Sequence, residues 1–191
     1  LGLLNLLDMT SQIRVDSIVP TTGVPTGGGG GIVQIVQTVK SDAETLTSST
    51  TETLIPGMEA TISPKSLSSK ILVMVVLNAY VGAAYAGQYA VLKRGTNNIS
   101  VGDAAGNRNR ASISLQGPNF YDVDSVNWGP GQASLHYLDS PNTTDPVTYG
   151  LYHGEADGTG NYLYINKSTT DSDTNQYNRV ASSITLMEVS A

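Results

Sequence analysis

From Ile71 to Leu77 every residue is apolar, with Lys70 before the run and Asn78 after it. No polar residue breaks the run at helical spacing. Crossing a bilayer takes about 20 apolar residues, so this segment is far too short to do so. A short apolar run bounded by turn signals reads as a buried β-strand. Its turn signal lies directly upstream, where Thr61-Ile62-Ser63-Pro64-Lys65-Ser66-Leu67-Ser68-Ser69 passes from a strand end into a Pro/Ser turn. Further upstream, Ser/Thr-rich Thr45 to Thr51 is a candidate strand, and Pro56-Gly57 is a candidate turn.

The rest of the chain repeats this rhythm. Ile32 to Val39, Gln88 to Arg94, Asn98 to Val101, Arg110 to Leu115, Ala133 to Leu138, Val147 to Tyr152, Tyr162 to Ile165 and Ser183 to Val189 each carry strand character. Gly95-Thr96-Asn97 reads as a hairpin turn. No segment of this region has helical periodicity. Short strands at regular spacing, separated by Gly, Pro and Asn, predict an all-β antiparallel sandwich of jelly-roll type.

Three regions follow. Residues 1–19 form an N-terminal arm, extended or briefly helical, with Leu3, Leu4, Leu6 and Leu7 on one helical face. A helix this short needs a partner surface. Residues 20–31 form a linker that ends in five consecutive glycines, Gly27 to Gly31. No Lys-Ser/Thr follows those glycines, so they do not make a phosphate loop. Residues 32–191 form the globular head. The arm lacks the basic flank and small-residue cleavage site of a signal peptide. The first residue is Leu rather than Met, so upstream residues, retained or removed, are expected.

Only 14% of the residues are charged and the formal net charge is -6. No Lys/Arg run could track a phosphate backbone, which argues against nucleic acid as a partner. No segment suits membrane insertion. Without cysteine the head holds together by packing, hydrogen bonds or oligomerisation.

The polar residues do not converge on a catalytic pattern. The two histidines, His136 and His153, have no nucleophile elbow beside them, and His153 is expected at a strand end facing solvent. Asp122, Asp124, Glu155 and Asp157 could pair for glycan cleavage, but all fall in turn-like sequence. Asp171-Ser172-Asp173-Thr174-Asn175 imitates the start of a calcium loop. Gln176 stands where Gly is needed and Ser182 where Glu is needed, so no EF-hand forms, and only an irregular loop site stays open. No catalytic residue, metal or cofactor is expected.

The long polar loops, 102–110, 116–131, 139–146 and 166–179, are where recognition would reside. The receptor-contact candidates are Asn107, Arg108 and Arg110 in the first and Tyr121 and Trp128 in the second. For Trp128, a plug at the barrel end or a subunit contact is favoured over a glycan-stacking platform.

Several segments in order carry a resemblance. They are Met9 to Ile18, the glycine run, Val91-Leu92-Lys93-Arg94-Gly95-Thr96 with Val101 to Gly106, Tyr137 to Thr144 with Val147-Thr148-Tyr149, Asn161 to Asn166, and Ser183 to Val189. From about Met9 to Ala191 the chain resembles bacteriophage fibre proteins, especially those of phages infecting cyanobacteria. Leu1 to Asp8 lies outside that pattern. The resemblance implies a tumour-necrosis-factor-like jelly-roll head, a homotrimer on the virion surface, and attachment to a host-surface glycan. It also implies an arm anchored on other virion proteins, for which Leu3, Leu4, Leu6, Leu7, Ile13, Val15 and Ile18 are the candidate contacts. A capsid decoration or head fibre is the competing reading. A glycan hydrolase acting through Glu155 or Asp157 is a distant third.

Overall fold

A computed structural model describes residues 31–82, 87–115 and 129–190. The arm and nearly all of the linker, with the anchoring candidates from Leu3 to Ile18, lie outside the described residues, as do Tyr121 and Trp128. The described residues contain strands and no helix. In chain order the strands are β1 (Ile32–Lys40), β2 (Glu44–Thr47), β3 (Thr53–Ile62), β4 (Lys70–Val81), β5 (Tyr89–Arg94), β6 (Asn97–Ile99), β7 (Ile113–Ser114), β8 (Gly131–Asp139), β9 (Val147–Gly154), β10 (Tyr162–Ile165) and β11 (Ser182–Val189).

They form two antiparallel sheets. In the larger, β8 flanks one side of β4 while β11 and β10 share the other, with β1 outside β11 and β2 outside β10. The smaller runs β3-β9-β5, with β6 and β7 both on the far edge of β5. Most connections pass from one sheet to the other, which makes the sandwich jelly-roll-like. Alternate residues of each strand meet between the sheets. Ile71, Val73, Val75 and Leu77 of β4 are fully buried there against Ile55, Leu92, Leu151 and Ile184.

Four expectations are corrected. Pro56-Gly57 is not a turn between elements but lies inside β3. The pairing with β9 shifts there, from Leu54 opposite Tyr152 to Glu59 opposite Gly150. A bulge of this kind accommodates a proline without an N–H and a glycine at positive φ, here 76°. The Lys40 stem packs over Gly57 at ordinary van der Waals distance, so the positive φ, not crowding, is what favours glycine there. The strand expected over Thr45–Thr51 ends at Thr47, beyond which a single backbone bond runs from the Ser48 N–H to the Asn161 carbonyl. Arg94 pairs with Asn97, so the hairpin turn is Gly95-Thr96 alone. Glycine at φ 57° in its first position is what a two-residue turn of the primed kind demands. Of Arg110–Leu115 only Ile113–Ser114 form the ladder, flanked by single backbone bonds from the Ser112 N–H to Ala90 and from the Leu115 N–H to Gln88. The Ser112 hydroxyl accepts from the Leu92 N–H and donates to the Ile99 carbonyl.

Polar ties close both ends. Buried Asp139 accepts from the Tyr149 hydroxyl at 2.7 Å and from Arg94 at 2.8 Å. Burial, then the Asp139 carboxylate, drive the Tyr149 hydroxyl far above the usual phenol range. At β1's end, buried Lys40 reaches Asp42 at 2.7 Å and Glu44 at 2.8 Å. Its desolvation is more than offset by those two carboxylates, and its pKa is raised.

Candidate functional site

The apolar run of β4 divides between two faces. Its odd-numbered residues enter the core, while Leu72, Met74 and Val76 are only half-buried on the opposite face. Pairing extends that face across the sheet. Ile35 of β1, Met187 of β11, Leu72 of β4 and Leu138 of β8 stand in one row. Gln37, Thr185, Met74 and His136 form the next, and Val39, Ser183, Val76 and Ser134 a third. Ile32, Ile35, Val39 and Leu138 are each at least half exposed, between 50% and 59%. Lys70, beside Val189, stands at the rim. Only the first row is wholly apolar, the other two being mixed with Gln37, Thr185, His136, Ser183 and Ser134. A monomer seldom leaves a row like the first to water. Strands that read as unbroken apolar runs are normally covered on both sides.

The end of β4 at Lys70 lies beside Ile32, where the chain enters the head, and the end at Val81 lies beside β10. β4 has 12 residues, about 40 Å at ~3.3 Å per residue. The described chain therefore begins at one end of the sandwich. The loops between β2 and β3, β4 and β5, and β9 and β10 gather at the other.

At that far end His153 and Glu155 are structural. His153 does not face solvent as expected. It is buried, with Nδ1 3.2 Å from the Ser48 hydroxyl. Burial lowers its pKa, and the nearby charges of Glu44 and Glu155 do not offset this. Glu155 is buried too, and its carboxylate accepts from the backbone N–H groups of Gly160 and Asn161 and from the Asn161 amide. Asp157 accepts from the N–H and hydroxyl of Thr159. Among the described residues the hydrogen bonds of these two acids shape their own loop.

Of the receptor-contact candidates, Asn107, Arg108 and Arg110 are exposed along the edge of the smaller sheet. Arg108 donates to the Ala105 carbonyl at 3.2 Å and Arg110 to the Gly102 carbonyl at 2.7 Å, so both brace their own loop. The calcium-loop imitation is also occupied internally. Arg179 grips both oxygens of Asp171 at 2.7 Å, with Lys167 at 3.7 Å. Among the described residues no three acidic, histidine or cysteine side chains are placed to hold a metal.

Sequence reading missed the outer face and a tyrosine pair beside it. Tyr162 and Tyr164 are two apart on β10, a spacing that puts both on one face.

No family model matches the chain, and no curated protein matches it. Among solved structures it is similar to a chain of the crystal structure of an infectious bursal disease virus VP2 subviral particle. The identity is 7% and the TM-score 0.36, over 90% of this chain and 44% of that one. This chain thus spans less than half the length of its neighbour, and a likeness so distant carries no statement about function.

Proposed function

We propose that this chain is a virion fibre protein whose β-sandwich head works as a homotrimer. In this reading the outer face of the larger sheet is the subunit contact. The N-terminal arm docks on other virion proteins, and the far-end loops are presented to host-surface glycan. The head works by binding, not catalysis.

The observation that carries the proposal is the row Ile35, Met187, Leu72 and Leu138 on a face that nothing within the described chain covers. A second copy would cover it with surface of the same kind, and closed homo-oligomers are the common solution. The sequence resemblance supports three copies and a phage fibre. Separation of the arm's entry from the far-end loops suits an anchored head that points outward. Three heads on one stalk would turn weak loop contacts into useful avidity.

Sedimentation equilibrium of the intact chain tests the assembly. A species of about three times the 20.0 kDa chain mass is expected, and a monomer at micromolar concentration would remove the main support. Imaging of particles labelled through an antibody to the head tests the placement. Label at the tail favours attachment, label spread over the shell favours decoration, and an unlabelled particle rejects both.

A further inference from the structure

β10 and the segment after it carry a second surface feature, separate from the apolar row. Tyr162 is half exposed, at 51%. Its ring centroid lies 6.2 Å from that of Tyr164, with the planes tilted by 56°. The pair makes a corner rather than a stack, so part of each ring remains open. Across the pairing on β2 stand Thr47 opposite Tyr162 and Thr45 opposite Tyr164, both exposed. The backbone beneath is fixed, since the Gly82 N–H donates to the Tyr162 carbonyl at 2.8 Å.

Lys167 joins this corner to a hollow. Its ammonium lies 5.9 Å over the Tyr164 ring and 3.7 Å from Asp171. The hollow, about 340 Å³, is lined by Asp171, Ser172, Asp173, Thr174, Tyr177 and Arg179. That volume is at the small end of the range for ligand pockets. Its lining mixes carboxylates, hydroxyls and a guanidinium, and Lys167 and Arg179 both engage Asp171. Asp173 makes no hydrogen bond to the other described residues.

We infer that the Tyr162–Tyr164 corner and the Asp171–Arg179 hollow together form a binding site for an uncharged saccharide of a cell-surface polysaccharide. A sugar ring presents C–H faces that lie against aromatic rings and hydroxyls that both donate and accept. The corner supplies the first complement and the hollow the second. A phosphate or uronate would meet the unpaired Asp173 carboxylate, while Lys167 and Arg179 are already engaged by Asp171. A purely apolar ligand would leave the Asp173 carboxylate without a partner. The assignment rests on the attachment reading for its biological sense, and its chemistry can be tested separately.

The test is retention of the intact chain on an array of bacterial surface polysaccharides, neutral and acidic, using wild type, Tyr162→Ala and Asp173→Ala. Both substitutions fall on exposed side chains, and circular dichroism confirms the fold. The expected result is retention on neutral polysaccharides and at least tenfold weaker binding by each variant. Failure of wild type to bind any neutral polysaccharide overturns the inference, as does equal binding by both variants. The fibre reading is judged by particle labelling and sedimentation, so either proposal can fail without the other.

Discussion

A Cβ added to Gly87 would stand 2.6 Å from the Cβ of Ala156. This close approach joins the segment entering β5 to the loop after β9, at the end of the sandwich remote from Ile32. Gly87 also has φ 60°, where an L side chain is strained. Both effects oppose Gly87→Ala: the backbone must leave its left-handed conformation, or the Ala156 loop must move. The expected loss is about 3 kcal/mol, read as a lowered urea midpoint. A loss under about 0.5 kcal/mol would show that the two loops are not held together here.

His153 makes the same region sensitive to acid. Its pKa is lowered by burial, so below the ordinary histidine value of 6.5 the unfolded chain binds protons that the folded chain refuses. Stability therefore falls as pH drops through about 6.5 and levels off at the folded pKa. His153→Gln keeps a side chain that can meet the Ser48 hydroxyl but cannot take up the proton. Urea midpoints at pH 7.5 and 5.5 should differ more for wild type than for the variant. Parallel slopes would remove His153 as the cause.

Glu188 acts in a separate window. Its buried carboxylate accepts from the Gln34 amide at 2.6 Å, the Lys65 N–H at 2.7 Å and the Ser69 side chain. Desolvation opposes ionisation, but these three donors outweigh it and the pKa is lowered. The stability it contributes is thus present above its ordinary value of 4.5 and is lost as pH falls through the lowered one. Glu188→Gln places an amide against donors already aimed inward. It should cost about 2 kcal/mol at pH 7 and flatten the acid limb of stability below pH 4.5. Unchanged stability at pH 7 would mean that the clasp between β11 and the β3–β4 turn is dispensable.

The strands were legible where local pattern decided them. Tyr162–Ile165 was bounded correctly, and Val147–Tyr152 lost only its last two residues. β3 was not legible, because Pro56-Gly57 signals a turn, and only pairing with β9 turns it into a bulge. His153 looked like a solvent-facing strand end because its burial depends on Ser48, which lies 105 residues earlier. The outer face was half legible. The run Ile71–Leu77 announced a strand apolar on both sides. The row it joins is set by pairing among β1, β11, β4 and β8, which local periodicity does not encode.

That row supplies the sharpest test of assembly. Ile35 is 56% exposed and Leu138 50% exposed, so replacing either with Glu removes little packing within one chain. Exposed positions of this kind usually change stability by less than about 0.5 kcal/mol. In an assembled head the same carboxylate would be driven into an apolar contact without a partner, a cost of several kcal/mol for a buried charge. Ile35→Glu and Leu138→Glu should each shift the sedimenting species from trimer to monomer while leaving the circular dichroism spectrum intact. Leu67 is more exposed than either, at 63%, but lies in the β3–β4 turn rather than in the row. Leu67→Glu should therefore remain trimeric. If all three variants assemble like wild type, the outer face is not the subunit contact. If Leu67→Glu dissociates as well, the β3–β4 turn belongs to the contact and the face alone does not define it.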